Sequence, residues 1–163
     1  AAVKAFAKEH GYNEIYLMGN SYGGYLSLKM IVDHPNEFEG AFSINGVTDW
    51  DVLTANLRTS IFNVHFGGIK NGTNDALYEK ASILANIDDL SKKDKIYIAH
   101  GDKDMTVPYA QSKLLADALK KEKLKPTFIT FKGEDHVYMK EKTFISLCKN
   151  VFKFVGEKGK CSI

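Results

Sequence analysis

Gly19-Asn20-Ser21-Tyr22-Gly23-Gly24 stands between two apolar stretches. Ile15-Tyr16-Leu17-Met18 before it reads as a buried strand, and Tyr25 to Asp33 after it reads as a buried helix. A strand that becomes a helix within one or two residues holds its turn residue in a strained backbone conformation, with the side chain pushed out over the end of the sheet. Ser21 occupies that position. Glycines two residues before and two after it are expected where a Cβ would collide as strand and helix come close. Taken alone, the pattern Gly-x-Ser-x-Gly also suits a glycine-rich turn with a serine helix cap. Its place between strand and helix favours the nucleophile elbow.

With 163 residues, 44% of them hydrophobic, the chain can bury one sizeable core, so a single domain is expected. The net charge is +2, and Arg58 is the sole arginine among 22 basic residues. There is no guanidinium cluster to read phosphates or guanines, which argues against nucleic acid as a partner. No stretch has the length of a membrane span, and the amino terminus lacks the regions of a signal peptide, so no membrane is expected either. The two cysteines, Cys148 and Cys161, read as neither a disulfide framework nor a metal site. Cys148 falls on the apolar side of a predicted helix, as a small core residue would, and a reducing, cytoplasmic compartment fits. Asn71-Gly72-Thr73 matches a glycosylation acceptor but reads more simply as an Asn-Gly turn. The chain starts at Ala1, inside what reads as the body of a fold, as a fragment, a processed product or a trimmed chain would.

Along the chain, strands and helices alternate. Val3, Phe6, Ala7 and His10 have helical spacing, with Gly11 as a C-cap. The helix after the elbow is apolar on nearly every side and stops at His34-Pro35. Gly40 to Ile44 reads as a second buried strand. From Asn45 to about Leu90 the pattern loosens, with short helices over Trp50 to Leu57 and Asp75 to Leu84; irregular insertions of this kind are often functional. Lys95 to Ala99 gives a third strand, Tyr109 to Lys123 a helix behind Pro108, and Thr127 to Phe131 a fourth strand. A last helix carries Phe144, Leu147, Cys148, Val151 and Val155 in register. The alternation implies a parallel sheet covered on both faces.

In such a sheet reactive groups gather at the carboxyl ends of the strands. Ser21, Asp104 and His136 each fall just past one of those ends, in the order Ser, Asp, His that α/β-hydrolases use. A serine hydroxyl needs a neighbouring base to take its proton, which His136 would do. That imidazole needs a carboxylate on its other nitrogen, and the backbone N–H of Tyr22 would stabilise the charge that develops on an attacked carbonyl. Singly, a loop histidine is usually just exposed and an aspartate before a helix usually a cap. Spacing does not choose between Asp102 and Asp104 as the acid, and Glu134 and Asp135 flank His136. A calcium loop over Asp102-x-Asp104 lacks the required glycine and distal glutamate. His10, His34, His65 and His100 stand in no motif and read as structural or exposed.

Gly-Asn-Ser-Tyr-Gly-Gly-Tyr (19 to 25), His-Gly-Asp-Lys-Asp-Met-Thr-Val-Pro (100 to 108) with Gln111-Ser112, and Gly-Glu-Asp-His (133 to 136) together resemble the catalytic domain of the prolyl oligopeptidase family, its acylaminoacyl-peptidase and dipeptidyl-peptidase branches above all. The resemblance covers essentially the whole chain. It implies a partial α/β-hydrolase fold in which residues 1–163 are the carboxyl-terminal portion of the catalytic domain, with Asp104 as the acid. It implies hydrolysis of peptide or acyl-peptide bonds by a serine peptidase without metal or organic cofactor. An apolar pocket for the residue before the cleaved bond would be built from Tyr22, Val47, Trp50, Leu53, Leu57 and Val107. The same large apolar residues would equally serve to pack a helix on the sheet. The family's catalytic domain has further strands, a loop with the second oxyanion donor and a β-propeller ahead of the first helix seen in this chain. Those missing parts are expected as partners, and an open sheet edge at Ile15 to Met18 could also pair copies of the chain into a homo-oligomer. A small-ester hydrolase on the same fold and a non-catalytic interaction module are the alternatives.

Overall fold

The four apolar runs pair in chain order. A computed structural model describes residues 2–53 and 64–162. Strands β1 (Tyr16–Asn20), β2 (Gly40–Ile44), β3 (Lys95–Gly101) and β4 (Thr127–Phe131) form one parallel sheet in the order β1-β2-β3-β4. Helices α1 (Ala2–Glu9), α2 (Tyr22–Asp33), α3 (Asp75–Ala81), α4 (Ala110–Lys121) and α5 (Glu141–Val155) precede, link and follow the strands. Asn20 is in register with Ile44, Ile44 with Ala99, and Gly101 with Phe131. The segments that leave the sheet after these residues therefore emerge along one edge.

Side chains alternate between faces with the period of two that a strand imposes. Leu17, Ala41, Ile96 and Ile98 meet Leu28 and Ile31 of α2 and Leu115 and Leu119 of α4 on one face. Phe42, Ile44, Tyr97 and Ala99 meet Phe154, Leu147 and Val151 of α5 on the other. All five residues of β2 are buried, as a strand covered on both sides requires.

In four places the structure departs from the reading of the sequence. β1 lies at the sheet edge, where the open edge at Ile15 to Met18 is expected, but it is not the buried strand its apolar run suggests: among the described residues it has a paired neighbour on one side only, and Met18 is 55% exposed. On α2, Leu26 and Met30 are exposed although the helix reads as apolar nearly all round; Tyr25, Leu28, Ile31 and Val32 form its buried stripe. The described parts of the insertion, 45–53 and 64–90, are more regular than their composition suggests. Two 3₁₀ segments, Trp50–Val52 and Leu84–Asp89, bracket α3, and the buried side-chain amide of Asn74 donates to the carbonyls of Phe66, Gly68 and Ile69. Of the helix expected over Trp50 to Leu57, only a 3₁₀ turn forms before Leu53, whose backbone is extended, and 54–57 fall outside the described residues.

The fourth departure concerns the cysteines. Cys148 and Cys161 form a disulfide that ties the chain beyond α5 back to that helix. A closed loop with a sequence separation of 13 removes freedom from the unfolded chain worth about 3 kcal/mol on the chain-entropy account. The reading of Cys148 as a small core residue is thereby corrected, and the reducing compartment inferred from it loses its basis, since disulfides persist where the surroundings are oxidising. Among the described residues no helix is long and apolar enough to cross a membrane.

Candidate active site

Ser21 joins β1 to α2 with φ 56° and ψ −121°, a left-handed conformation that a side chain larger than glycine adopts only when its surroundings enforce it. They do so here through the crossing of strand and helix. A Cβ on Gly19 would run into the backbone carbonyl group of Gly23, and a Cβ on Gly24 would lie 2.8 Å from Ser43 Oγ and 3.0 Å from the Ile44 carbonyl oxygen. The expected symmetry of Gly19 and Gly23 needs correcting. A Cβ on Gly23 meets nothing within 4 Å, so its neighbour Gly24 is the residue that admits β2. The N–H of Ser21 donates to the Ile44 carbonyl at 2.8 Å, which pins the turn to the end of β2. Tyr22 is the first residue of α2, so its N–H has no acceptor within the helix and faces outward from the positive end.

Asp104 lies in the turn after β3, buried, and Oδ2 of its carboxylate accepts from His136 Nδ1 at 2.8 Å. The other oxygen accepts from the N–H groups of Thr106 and Val107, each at 2.8 Å. Burial raises the pKa of this carboxyl; hydrogen bonds from His100 and His136, and then from Val107 and Thr106 N–H, outweigh it and hold the group well below the usual carboxylate range. Asp102 is engaged elsewhere, accepting from Gly133 N–H at 2.6 Å.

The loops of Asp104 and His136 are laced together. Lys103 N–H donates to the Glu134 carbonyl at 2.9 Å, and Asp135 Oδ1 accepts from Met105 N–H at 2.9 Å and from His136 N–H at 2.6 Å. Glu134, 2% exposed, accepts from the N–H of Met139 and Lys140 and from the Thr143 hydroxyl at the start of α5. Burial pushes the Glu134 carboxyl up, but these donors and Lys140 hold it below its ordinary value. The loop of His136 is thus anchored at one end to the loop of Asp104 and at the other to a helix.

Asp104 and His136 are brought into hydrogen-bond contact, while among the described residues no hydrogen bond joins Ser21 to His136. Asn20, the residue of β1 that precedes Ser21, and the loop of His136 nonetheless wall one space. An apolar cavity of about 240 Å³ is lined by Asn20 from the first, His136 and Tyr138 from the second, and Ile44, Phe144 and Leu147 between. Hydrogen bonds between a nucleophile and its base are often long before substrate binds.

Of the residues expected to form a substrate pocket, Tyr22 is 40% exposed, with its ring 6.2 Å from Trp50 and 6.1 Å from His65. Val47, Trp50, Leu53 and Val107 are buried members of the main core. Of these, Trp50 is the one whose ring meets that of Tyr22, and Leu57 lies outside the described residues.

Three residues of the site escape sequence reasoning. His100, fully buried, places Nε2 3.2 Å from Asp104 Oδ2 and 2.9 Å from the Val107 carbonyl, and Nδ1 2.6 Å from Ser112 Oγ. Both Nε2 neighbours are acceptors, so that nitrogen carries hydrogen and helps to hold the carboxylate. The signal available was a polar residue closing an apolar strand, which must find partners. Gln111, 1% exposed, accepts on Oε1 from Thr48 and Asp49 N–H and donates from Nε2 to the Asp49 carbonyl, fixing the approach to Trp50. Asn45 bridges β2 to the loop of His136.

The sequence profile of the prolyl oligopeptidase family matches residues 1–160. Dipeptidyl peptidase family member 2 of Caenorhabditis elegans is 25% identical over 159 residues, which are 95% of this chain and 17% of that protein. Two solved structures share the fold. A puromycin-hydrolysing peptidase of Mycobacterium tuberculosis superposes with a TM-score of 0.78 at 23% identity, over 96% of this chain and 25% of its own. Dipeptidyl peptidase 4 of Porphyromonas gingivalis does so with 0.81 at 19% identity, over 97% and 22%. The chain therefore spans about a fifth of the length of these relatives, and its four-stranded parallel sheet is that of an α/β-hydrolase.

Proposed function

The chain belongs to the prolyl oligopeptidase family, and on that premise we propose that residues 1–163 are the carboxyl-terminal portion of a serine peptidase's catalytic domain, acting on peptide or acyl-peptide bonds. The observation that carries the reading is the 2.8 Å hydrogen bond between buried Asp104 and His136, together with a serine held at φ 56° on the strand-to-helix turn after β1. Asp104 keeps the hydrogen on His136 Nδ1, which leaves Nε2 free to take the Ser21 proton. Ser21 Oγ then adds to the substrate carbonyl, and the oxyanion takes the Tyr22 N–H. Collapse breaks the scissile bond as His136 returns the proton to the leaving nitrogen. A water, deprotonated by the same imidazole, releases the acyl group and restores Ser21.

The relatives support peptides over other acyl compounds, since all three are peptidases by name. An apolar residue before the cleaved bond suits Tyr22, with Val47, Trp50, Leu53, Val107 and Leu57 assigned to the same pocket. The reading requires no metal or organic cofactor. Its second oxyanion donor, and cover for β1, would come from parts of a longer protein that include further strands and a β-propeller.

The test is reaction of the complete protein with a fluorophosphonate, followed by intact mass. One adduct that disappears in Ser21→Ala is expected. An adduct that persists in that variant, or hydrolytic activity that does, would falsify the assignment, as would a folded complete protein that never labels. Rates on an aminoacyl amide and the matching ester separate a peptidase from a small-ester hydrolase.

A further inference from the structure

We propose that Asn45 is a positioning residue, which holds the loop of His136 in place against the ends of β2 and β3. The inference rests on the reading of Ser21, Asp104 and His136 as a catalytic set. Asn45 is the first residue past β2, 1% exposed, with φ 48°. Asparagine is one of the few residues that accept this conformation at modest cost. The turn it makes aims the side chain at the neighbouring loops.

Three hydrogen bonds define that side chain. Nδ2 donates to the His136 carbonyl at 2.9 Å, and Oδ1 accepts from Gly101 N–H at 3.1 Å and from the Tyr138 hydroxyl at 2.8 Å. The amide orientation follows from its partners, because a backbone N–H can only donate and a carbonyl can only accept. The main chain extends the connection. Asn45 N–H donates to the Ala99 carbonyl, and the adjoining Ile44 carbonyl takes the N–H of Ser21, each at 2.8 Å. One residue thus touches the end of β3 and the base loop and lies next to the anchor of the serine turn.

Of its bonds, the one to His136 bears on the imidazole most directly. Asp135 already fixes the N–H of His136, and Asn45 fixes its carbonyl, so the peptide groups on both sides of the base are held. With Nδ1 on Asp104, the direction of Nε2 then follows from the backbone of residue 136. Loosening the carbonyl end lets the ring swing while its bond to Asp104 survives. A displacement on the order of 1 Å is enough to cost about a hundredfold in rate.

Two variants separate positioning from the mere filling of a buried polar site. Asn45→Asp keeps the acceptor for Gly101 and Tyr138 but removes the donor and sets a carboxylate against the His136 carbonyl. Tyr138→Phe removes one partner of Oδ1 and leaves the donor to His136. The ring 15N and 1H shifts of His136, assigned by their loss in His136→Gln, are read from long-range spectra of the complete protein, beside its rate of fluorophosphonate labelling.

Asn45→Asp is expected to unfold cooperatively yet move the His136 ring signals and slow labelling about tenfold or more, whereas Tyr138→Phe leaves the ring signals in place. Asn45→Gly, which suits the positive φ and lacks all three side-chain bonds, gives the same reading should the aspartate variant not fold. Unmoved ring signals and near-normal labelling in the Asn45 variants overturn the proposal, and so does a Tyr138→Phe variant whose ring signals move as theirs do. A wild type that does not label sinks the peptidase reading instead, and the ring signals still decide the role of Asn45.

Discussion

Burial on its own raises the carboxyl of Asp104, while hydrogen bonds from His100, His136 and the N–H groups of Val107 and Thr106 bring it well below the ordinary carboxylate value of 3.8. The folded protein therefore holds its proton less tightly than the unfolded chain does. The resulting stability is fully present above pH 3.8 and is lost as the pH falls towards the folded value. In Asp104→Asn the amide cannot ionise, so that component of the acid sensitivity disappears. The urea midpoint of the wild type is expected to fall more steeply than that of the variant between about pH 5 and about pH 2. Parallel curves would mean that the hydrogen bonds to Asp104 do not outweigh its burial. Under the proposed mechanism the same variant should also lose about 10³- to 10⁴-fold in kcat, because an amide no longer enforces the needed imidazole tautomer. His100 belongs to the same account, although the motif that it opens gave it no role. Its partners Ser112, Val107 and Asp104 are contributed by the turn after β3 and by α4, and only the fold brings them around one ring.

Where β1 passes α2, the spacing of the two backbones is set by absent side chains, and the two motif glycines play unequal parts. Gly19→Ala pushes a methyl into the Gly23 carbonyl group, which backbone can relieve only by moving. A loss of about 1–3 kcal/mol or more is expected, as for overpacking in a tight core. Gly23→Ala places its methyl in open space near the start of a helix and should be neutral or stabilising by up to about 1 kcal/mol. Chemical denaturation of the two variants decides, and the reverse order would contradict this packing of the turn. The contrast also shows what a motif can convey. The strand, the turn and the helix were legible because an apolar run, a glycine-serine cluster and a second apolar run each leave a local pattern. The other strands and the helices α4 and α5 were legible on the same grounds. The 3₁₀ segment Leu84–Asp89 was not, because its bonds reach back to the Thr48 carbonyl from Ile83 and Leu84 rather than along a periodic face. Asn45 was hidden in the same way, with partners 56, 91 and 93 positions distant. The disulfide left no pattern either, since two cysteines 13 positions apart fit many arrangements.

At the scale of the molecule, the sheet has two ends that differ in what lies beyond them. β4 is an edge strand as well, and the ring of its last residue, Phe131, packs edge-on against Tyr138 in the loop of the candidate site. Among the described residues nothing pairs with the outer side of β1, where Met18 is 55% exposed, and Phe6, Leu26 and Met30 are exposed as well. An uncharged edge of this kind is a template for another strand. The net charge of +2 on 163 residues provides little long-range repulsion to keep copies apart. The proposed longer protein and a second copy of the chain are the two candidate occupants of the edge. If a longer protein supplies the next strand, the 163-residue chain by itself should expose the site and associate as its concentration rises. Size-exclusion chromatography over a range of loading concentrations reads this directly, and Met18→Lys, which puts a charge on the edge, should return the chain towards a monomer. A wild-type chain that elutes as a monomer throughout, with Met18→Lys indistinguishable from it, would mean that β1 needs no strand beside it, and the proposed continuation of the sheet would lose its physical basis.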